Sequence, residues 1–322
     1  MSQTKYSKFS MADVIAVLTA VSFGYVCFLG VNFYTLGDKS KSITIATAIT
    51  ITLIAISLGL KRLKRTVRPS KNKFILEIIL LVVFAVLISF FTNFPFSHYF
   101  FVSAQKNSIQ ATLNQSISQA EDIYNQYQTH VNSKDILYKS ELHSAVLGKG
   151  NNPTEYKKLG FNDPITCGVS EAKQEIIIGN SLKMELLPAN FNLMKSNDSA
   201  WLTKARIAVN DWKPISVVDV INSIDSNTNK SINELVAISE KSRLNKVINV
   251  RWTPTISSFK NVKVEFQNIG PAPMIATTFS IVSFLLMLLS YLSTPRSTKS
   301  KYGFRAIFTS KRKTTSEFDI EY

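Results

Sequence analysis

The run FILEIILLVVFAVLISFFT, Phe74 to Thr92, decides the fold class, because its nineteen residues carry a single charge, Glu77, and are apolar on every helical face. At 1.5 Å per residue such a helix is about 28 Å long, close to the thickness of a hydrocarbon core. A helix on a soluble core must turn one side to water and cannot stay apolar all round for that length. Three further windows have the same character: Val14 to Phe33, Ile43 to Leu60 and Met274 to Leu292. The second is the most polar, with Thr44, Thr47, Thr50, Thr52 and Ser57. The sequence therefore predicts a mainly α protein with four transmembrane helices.

The net charge of +15 gains its meaning from where the charges lie. The stretch before the first span has Lys5 and Lys8 against Asp13, and the loop between spans two and three has Lys61, Arg62, Lys64, Arg65, Arg68, Lys71 and Lys73 with no acid. The tail after span four has seven basic residues against Glu317, Asp319 and Glu321. The segment from Phe94 to Ala272, by contrast, has nineteen basic and sixteen acidic residues and is nearly balanced. This is the positive-inside pattern. It predicts cytoplasmic N- and C-termini, with residues 94–272 on the extracytoplasmic side. A nucleic-acid surface has no reason to divide itself around hydrophobic spans, so no nucleic-acid partner is expected. The partner of Lys61, Arg62, Lys64 and Arg65 is expected to be the lipid bilayer, through anionic headgroups.

The expected organisation is an N-terminal membrane region over 1–93, an extracytoplasmic domain over 94–272, the fourth span over 273–293 and a basic tail over 294–322. The first span is read as a retained signal anchor, since its apolar core exceeds a signal h-region and no clear cleavage site precedes Asp38. Asn93-Phe94-Pro95 is expected to close span three, with the aromatic cluster Phe94, Phe96, Tyr99, Phe100 and Phe101 at the membrane interface. From about 103 to 147 the pattern is that of one long stalk-like helix, with Ile109, Leu113, Ile117, Ala120, Tyr124, Tyr127 and Val131 three or four residues apart. That stripe needs cover, either from other helices of the domain or from another copy in a coiled coil. It is the candidate interaction stripe.

Beyond Gly148 the reading is of shorter helices and minor β. The β-branched run Ile176-Ile177-Ile178 reads as irregular structure with a short strand or helix. Asp198 or Ser199 is expected to cap a helix to Val209, Pro214 to start one through Ile224, and Ser231 with Glu234 to open another to Lys241. Short strands are expected at Val247 to Trp252 and at Asn261 to Phe266.

Motifs that carry chemistry are missing from the sequence: it has no phosphate loop, dinucleotide fingerprint, GxSxG elbow or HExxH. His130 and His143 lie about 20 Å apart along one helix, too far to share a metal. Cys27 and Cys167 are in different regions, so no disulfide is expected. No catalytic residue, metal or cofactor is assigned. Trp201, Trp212 and Trp252 are read as core anchors. Glu77, an acid inside a span, is the one candidate intramembrane functional residue. Its plainest partner is Lys73, four residues earlier on the same face.

The favoured function is a non-enzymatic membrane scaffold or assembly component that presents an extracytoplasmic interaction domain. A small-ligand sensor acting through a separate cytoplasmic partner is the alternative, followed by a transporter or channel subunit. In layout, the long helix and the Gly270-Pro271-Ala272-Pro273 entry to the last span are similar to polysaccharide chain-length regulators. Those have two spans, and no residue motif carries over. Sequons at Asn114, Asn197 and Asn229 all fall between spans three and four. The absence of disulfides there favours a bacterial inner membrane.

Overall fold

A computed structural model describes residues 10–65, 71–255 and 262–295, and the chain is helical nearly throughout them. Helix α1 (Met11–Tyr34) turns into α2 (Lys39–Lys64), and α3 (Lys71–Phe91) leads through a wide π turn at Thr92–Phe96 into α4 (Ser97–Ala104). The long α5 (Lys106–Leu147) follows, then the short α6 (Pro153–Lys158) and α7 (Pro164–Cys167). After these come α8 (Glu171–Leu186), α9 (Phe191–Asn210), α10 (Pro214–Lys241), α11 (Val262–Gln267) and α12 (Met274–Ser293). Lys5, Lys8, Arg68, Pro69, Asn261 and the basic tail lie outside the described residues. The contacts define two compact units, Met1–Gln105 with Glu265–Tyr322, and Lys106–Val264. Residues 94–105, expected to begin the outer domain, thus belong with the first unit.

In the first unit, four helical segments are long and apolar enough to cross a membrane: Met11–Tyr34, Lys39–Lys64, Asn72–Ala104 and Met274–Ser293. They define a multi-pass membrane protein. Phe23, Cys27, Leu53, Leu60, Phe84 and Met287 form the centre of the bundle. Leu76, Ile79, Val82, Val86 and Phe90 of α3 face outward, as lipid-contacting residues do.

Span three does not close at Asn93-Phe94-Pro95 as expected. Pro95 has no N–H to continue the ladder, and the residue before a proline is driven from the helical region, so Phe94 is extended at φ −160°. The chain bends there and resumes as α4, which packs on α1. Gly30 makes that contact possible: a Cβ at position 30 would stand 2.1 Å from the Pro95 carbonyl oxygen.

In the second unit, α5 is the spine. Its stripe is covered by α8, α9 and α10, leaving Ile109, Ile117, Tyr127 and Val131 at 0% exposure. Tyr127 donates its hydroxyl to the Leu186 carbonyl at 2.9 Å and lies edge-on to Trp252. Gln110 donates to the Val209 carbonyl at 2.7 Å, tying α5 to the end of α9.

The minor β structure is not found among the described residues. Val247 to Trp252 follows a 3-10 turn without strand pairing, and Val262 and Phe266, one helical turn apart in α11, are both buried. Helical spacing of two apolar residues there prevailed over β-branched propensity. The Ile176 run lies inside α8, with Gly179 placed against the Lys139 stem. Helix α9 begins at Phe191 rather than at Asp198, and α10 runs unbroken through Ser231. Burial of Val217, Ile221, Ile224, Thr228, Ser231 and Leu235 at three- and four-residue spacing holds α10 as one helix where the local capping signal suggested two.

Two outcomes follow. Gly30→Ala forces α1 away from the Pro95 backbone and costs about 1–3 kcal/mol, typical of overpacking. It lowers the thermal midpoint of the detergent-solubilised chain, whereas Gly59→Ala, whose nearest neighbour is a side-chain carbon at 3.5 Å, leaves it unchanged. In the second unit, Lys149 donates to Glu171 at 2.7 Å and holds that carboxyl below the usual glutamate range. A depressed carboxylate stabilises fully above the ordinary glutamate pKa, and the gain is lost as pH falls through the lowered value. The protection of amides in α6 to α8, taken relative to their intrinsic exchange rate at each pH, therefore falls on acidification, and Lys149→Met flattens that dependence.

Candidate functional site

The end of the bundle where α1 and α3 begin and α2 and α12 finish contains a buried polar layer to which all four helices contribute. It is built on Asp13, the third residue of α1. Its carboxylate accepts hydrogen bonds from the Ser10 backbone N–H at 2.7 Å and the Ser10 hydroxyl at 3.0 Å. This satisfies the free donors of a helix N-terminus and places a negative charge where the helix dipole favours one. The same carboxylate receives the Lys61 ammonium from α2 and the Ser290 hydroxyl from α12. Asp13 is 1% exposed and Lys61 7%.

The layer continues through α12. Lys64 donates to the Tyr291 carbonyl at 2.7 Å, meeting the unpaired carbonyls of the α12 C-terminus, and its ammonium lies 4.5 Å from the Tyr291 ring centroid. The Tyr291 hydroxyl donates to Glu77 of α3 at 2.7 Å. Deeper in the bundle, Ser57 of α2 donates to the Met287 carbonyl of α12 at 2.7 Å.

These positions revise several expectations from the sequence. Glu77 is buried and turned toward Tyr291, while Lys73 is exposed, so the helical pair Lys73–Glu77 does not form. The pull of a second helix outweighed a local pairing worth only tenths of a kcal/mol. Lys61 and Lys64 are drawn into the bundle rather than out to headgroups, because each finds a fixed acceptor there. Arg62 and Arg65 are exposed, as headgroup contact requires. Asp13, Ser290 and Tyr291 were not singled out in the sequence. Asp13 stands one residue before the apolar window, and its partner Lys61 is 48 residues away. A cross-helix pair of that separation leaves no local periodic signal.

The stripe residues Ile109, Leu113, Ile117, Tyr124, Tyr127 and Val131 are gathered in the core of the second unit, each at most 3% exposed. Beside them, the Tyr124 hydroxyl donates to Asp198 at 2.8 Å, and the Ser231 hydroxyl reaches the same carboxylate. Burial first, then the hydrogen bond to Asp198, raises the Tyr124 pKa above the ordinary tyrosine value. The three histidines are dispersed: His98 bonds the Phe266 carbonyl, His130 the Val250 carbonyl, and His143 faces Glu175 at 3.5 Å. Among the described residues no group of three or more His, Cys, Asp or Glu is placed to hold a metal. Cys27 is buried and Cys167 exposed. Trp252 is a core residue, whereas Trp201 and Trp212 are half-buried. Comparison with protein families, curated proteins and solved structures returned no match.

Chemically, the polar layer can clamp four helices or pass a proton between a carboxylate, a hydroxyl and an amine. The clamp leads to a measurable asymmetry. Lys61→Met leaves Asp13 buried without its cation and costs about 3–5 kcal/mol, whereas Asp13→Asn with Lys61→Met recovers most of that loss, since neither charge remains. Denaturation of the full chain in mixed micelles, single variants against double, measures the coupling.

Proposed function

We propose that the protein is a non-enzymatic integral membrane scaffold whose four-helix bundle anchors a helical interaction domain on the extracytoplasmic side. The orientation rests on the basic loop between spans two and three and the basic tail, which the positive-inside rule assigns to the cytoplasm. The bundle suits a fixed anchor, since its polar layer engages every span.

The observation that carries the reading is a set of exposed apolar residues beside a core that is already complete. Helices α5 and α8 run side by side, linked by Asp135 with Lys183 at 3.2 Å and by His143 with Glu175. Ile136 of α5 and Ile176, Ile177 and Met184 of α8 point away from the core at 69%, 64%, 58% and 77% exposure. Apolar groups of that size on a water-facing helix pair mark a surface that a protein partner covers. The interaction surface is thus assigned to the outer side of α5 and α8, in place of the core stripe.

A second reading has its own support. A cleft of about 360 Å³ between α9 and α10 is lined by Trp201, Lys204, Lys213, Ser216 and Asp219 among others, and its two lysines against one carboxylate suit a small anionic ligand in a sensor. Photo-crosslinking residues at Ile177 and Met184 of the full chain, in its native membrane, give discrete protein adducts, and one at Ser196 on α9 gives none. Failure of both to capture protein removes the scaffold reading. Thermal stabilisation by a small anion, abolished by Trp201→Ala, puts the sensor in its place.

A further inference from the structure

The seam between α3 and α12 closes unevenly. The two helices meet at Glu77 with Tyr291, at Phe84 with Phe284 (ring centroids 5.4 Å apart) and at Thr92 with Ser280. Over the half nearer the Pro95 bend, a groove of about 280 Å³ lies open on the surface of the bundle. Its lining is graded. Ser89, Thr92, Asn93, Thr277 and Ser280 occupy the end toward the bend, and Ala85, Ile88, Ile281 and Phe284 the end toward the bundle's middle. The gradient runs over about 12 Å, eight residues of helix rise from Ala85 to Asn93.

Thr92 and Ser280 satisfy each other across the floor. Ser89, Asn93 and Thr277 are exposed, and their side chains make no hydrogen bond to any other described residue. Within a membrane such donors gain from a partner that hydrocarbon tails cannot supply. The occupant therefore has acceptors at one end and hydrocarbon at the other. No charged side chain lines the groove, so recognition is of neutral acceptors rather than of a phosphate or an ammonium.

We infer that this groove is a binding site for a diacyl lipid of the leaflet in which α3 ends and α12 begins. Its ester carbonyls accept from Ser89, Asn93 and Thr277, and one acyl chain descends past Ile88, Ile281 and Phe284. A partner helix suits the site less well. Close helix approach in lipid needs small residues along the whole contact, and the inner half of the groove is lined by bulky ones. The assignment rests on the four spans alone and is independent of any partner of the second unit.

The test uses the full chain in nanodiscs containing a phosphatidylcholine with a diazirine on one acyl chain. Photolabel is expected to concentrate on residues 85–93 and 277–284 over the equally lipid-exposed stretch 75–83. Ala85→Trp, a change at an exposed position, fills the groove and abolishes the excess. Ser89→Ala with Thr277→Val reduces the excess by about eightfold, the equivalent of two intramembrane hydrogen bonds. Labelling that is uniform around the bundle, or that neither variant alters, overturns the site. A photo-crosslinker at Ile281 that yields a protein adduct in native membranes overturns it in favour of a helix.

Discussion

A carboxylate buried at the edge of a membrane is tolerated only if its charge is answered, and Asp13 is answered from three directions. Ser10 closes the helix on which it stands, Lys61 neutralises it from α2, and Ser290 adds a hydroxyl from α12. Taking these groups out of water costs several kcal/mol per ion, so they gain their place only through tight pairing and complete hydrogen bonding. That requirement fixes how far α1, α2 and α12 sit along one another. The aromatic and aliphatic packing of Phe23, Leu53, Phe84 and Met287 then fills a frame whose register is already set.

The second unit is held by a different principle. Its long helix has a narrow apolar stripe and polar flanks, so it gains little from the helix alone and most from the three helices laid along it. Polar side chains fine-tune the packing, as when Glu185 accepts from Ser242 and from the Arg243 backbone and side chain. Leu142, Leu182, Val209 and Ile221 are buried, while Ile136, Ile176, Ile177 and Met184 stay exposed.

The four spans were legible from composition because a bilayer imposes a length and a polarity that no other environment demands. The α5 helix was legible because 42 residues without Gly or Pro repeat one period. The breaks were harder to place. Pro95 looked like an end and proved to be a bend, because α1 approaches closely enough at Gly30 to hold the continuation in place. Ser231 looked like a cap and proved to be a core residue of α10, because Asp198 and Tyr124 are supplied by helices distant in sequence. The polar layer was half visible: Glu77 was marked as an acid inside a span and Lys61 and Lys64 as headgroup contacts, but their partners lie 48 to 227 residues away, and Asp13 and Ser290 are 277 apart. Pairings of that kind are decided by tertiary geometry alone.

The dependence on α12 bears on how the chain is made. Asp13, Lys64 and Glu77 enter the membrane early in synthesis, yet Ser290 and Tyr291, with which they hydrogen-bond, emerge only after the whole stretch Lys106–Val264. The first three spans must therefore wait in lipid with an unfinished side, and the bundle locks only when the last span arrives. A nascent chain halted before Met274 is thus a substrate for membrane quality control, however well its second unit has folded.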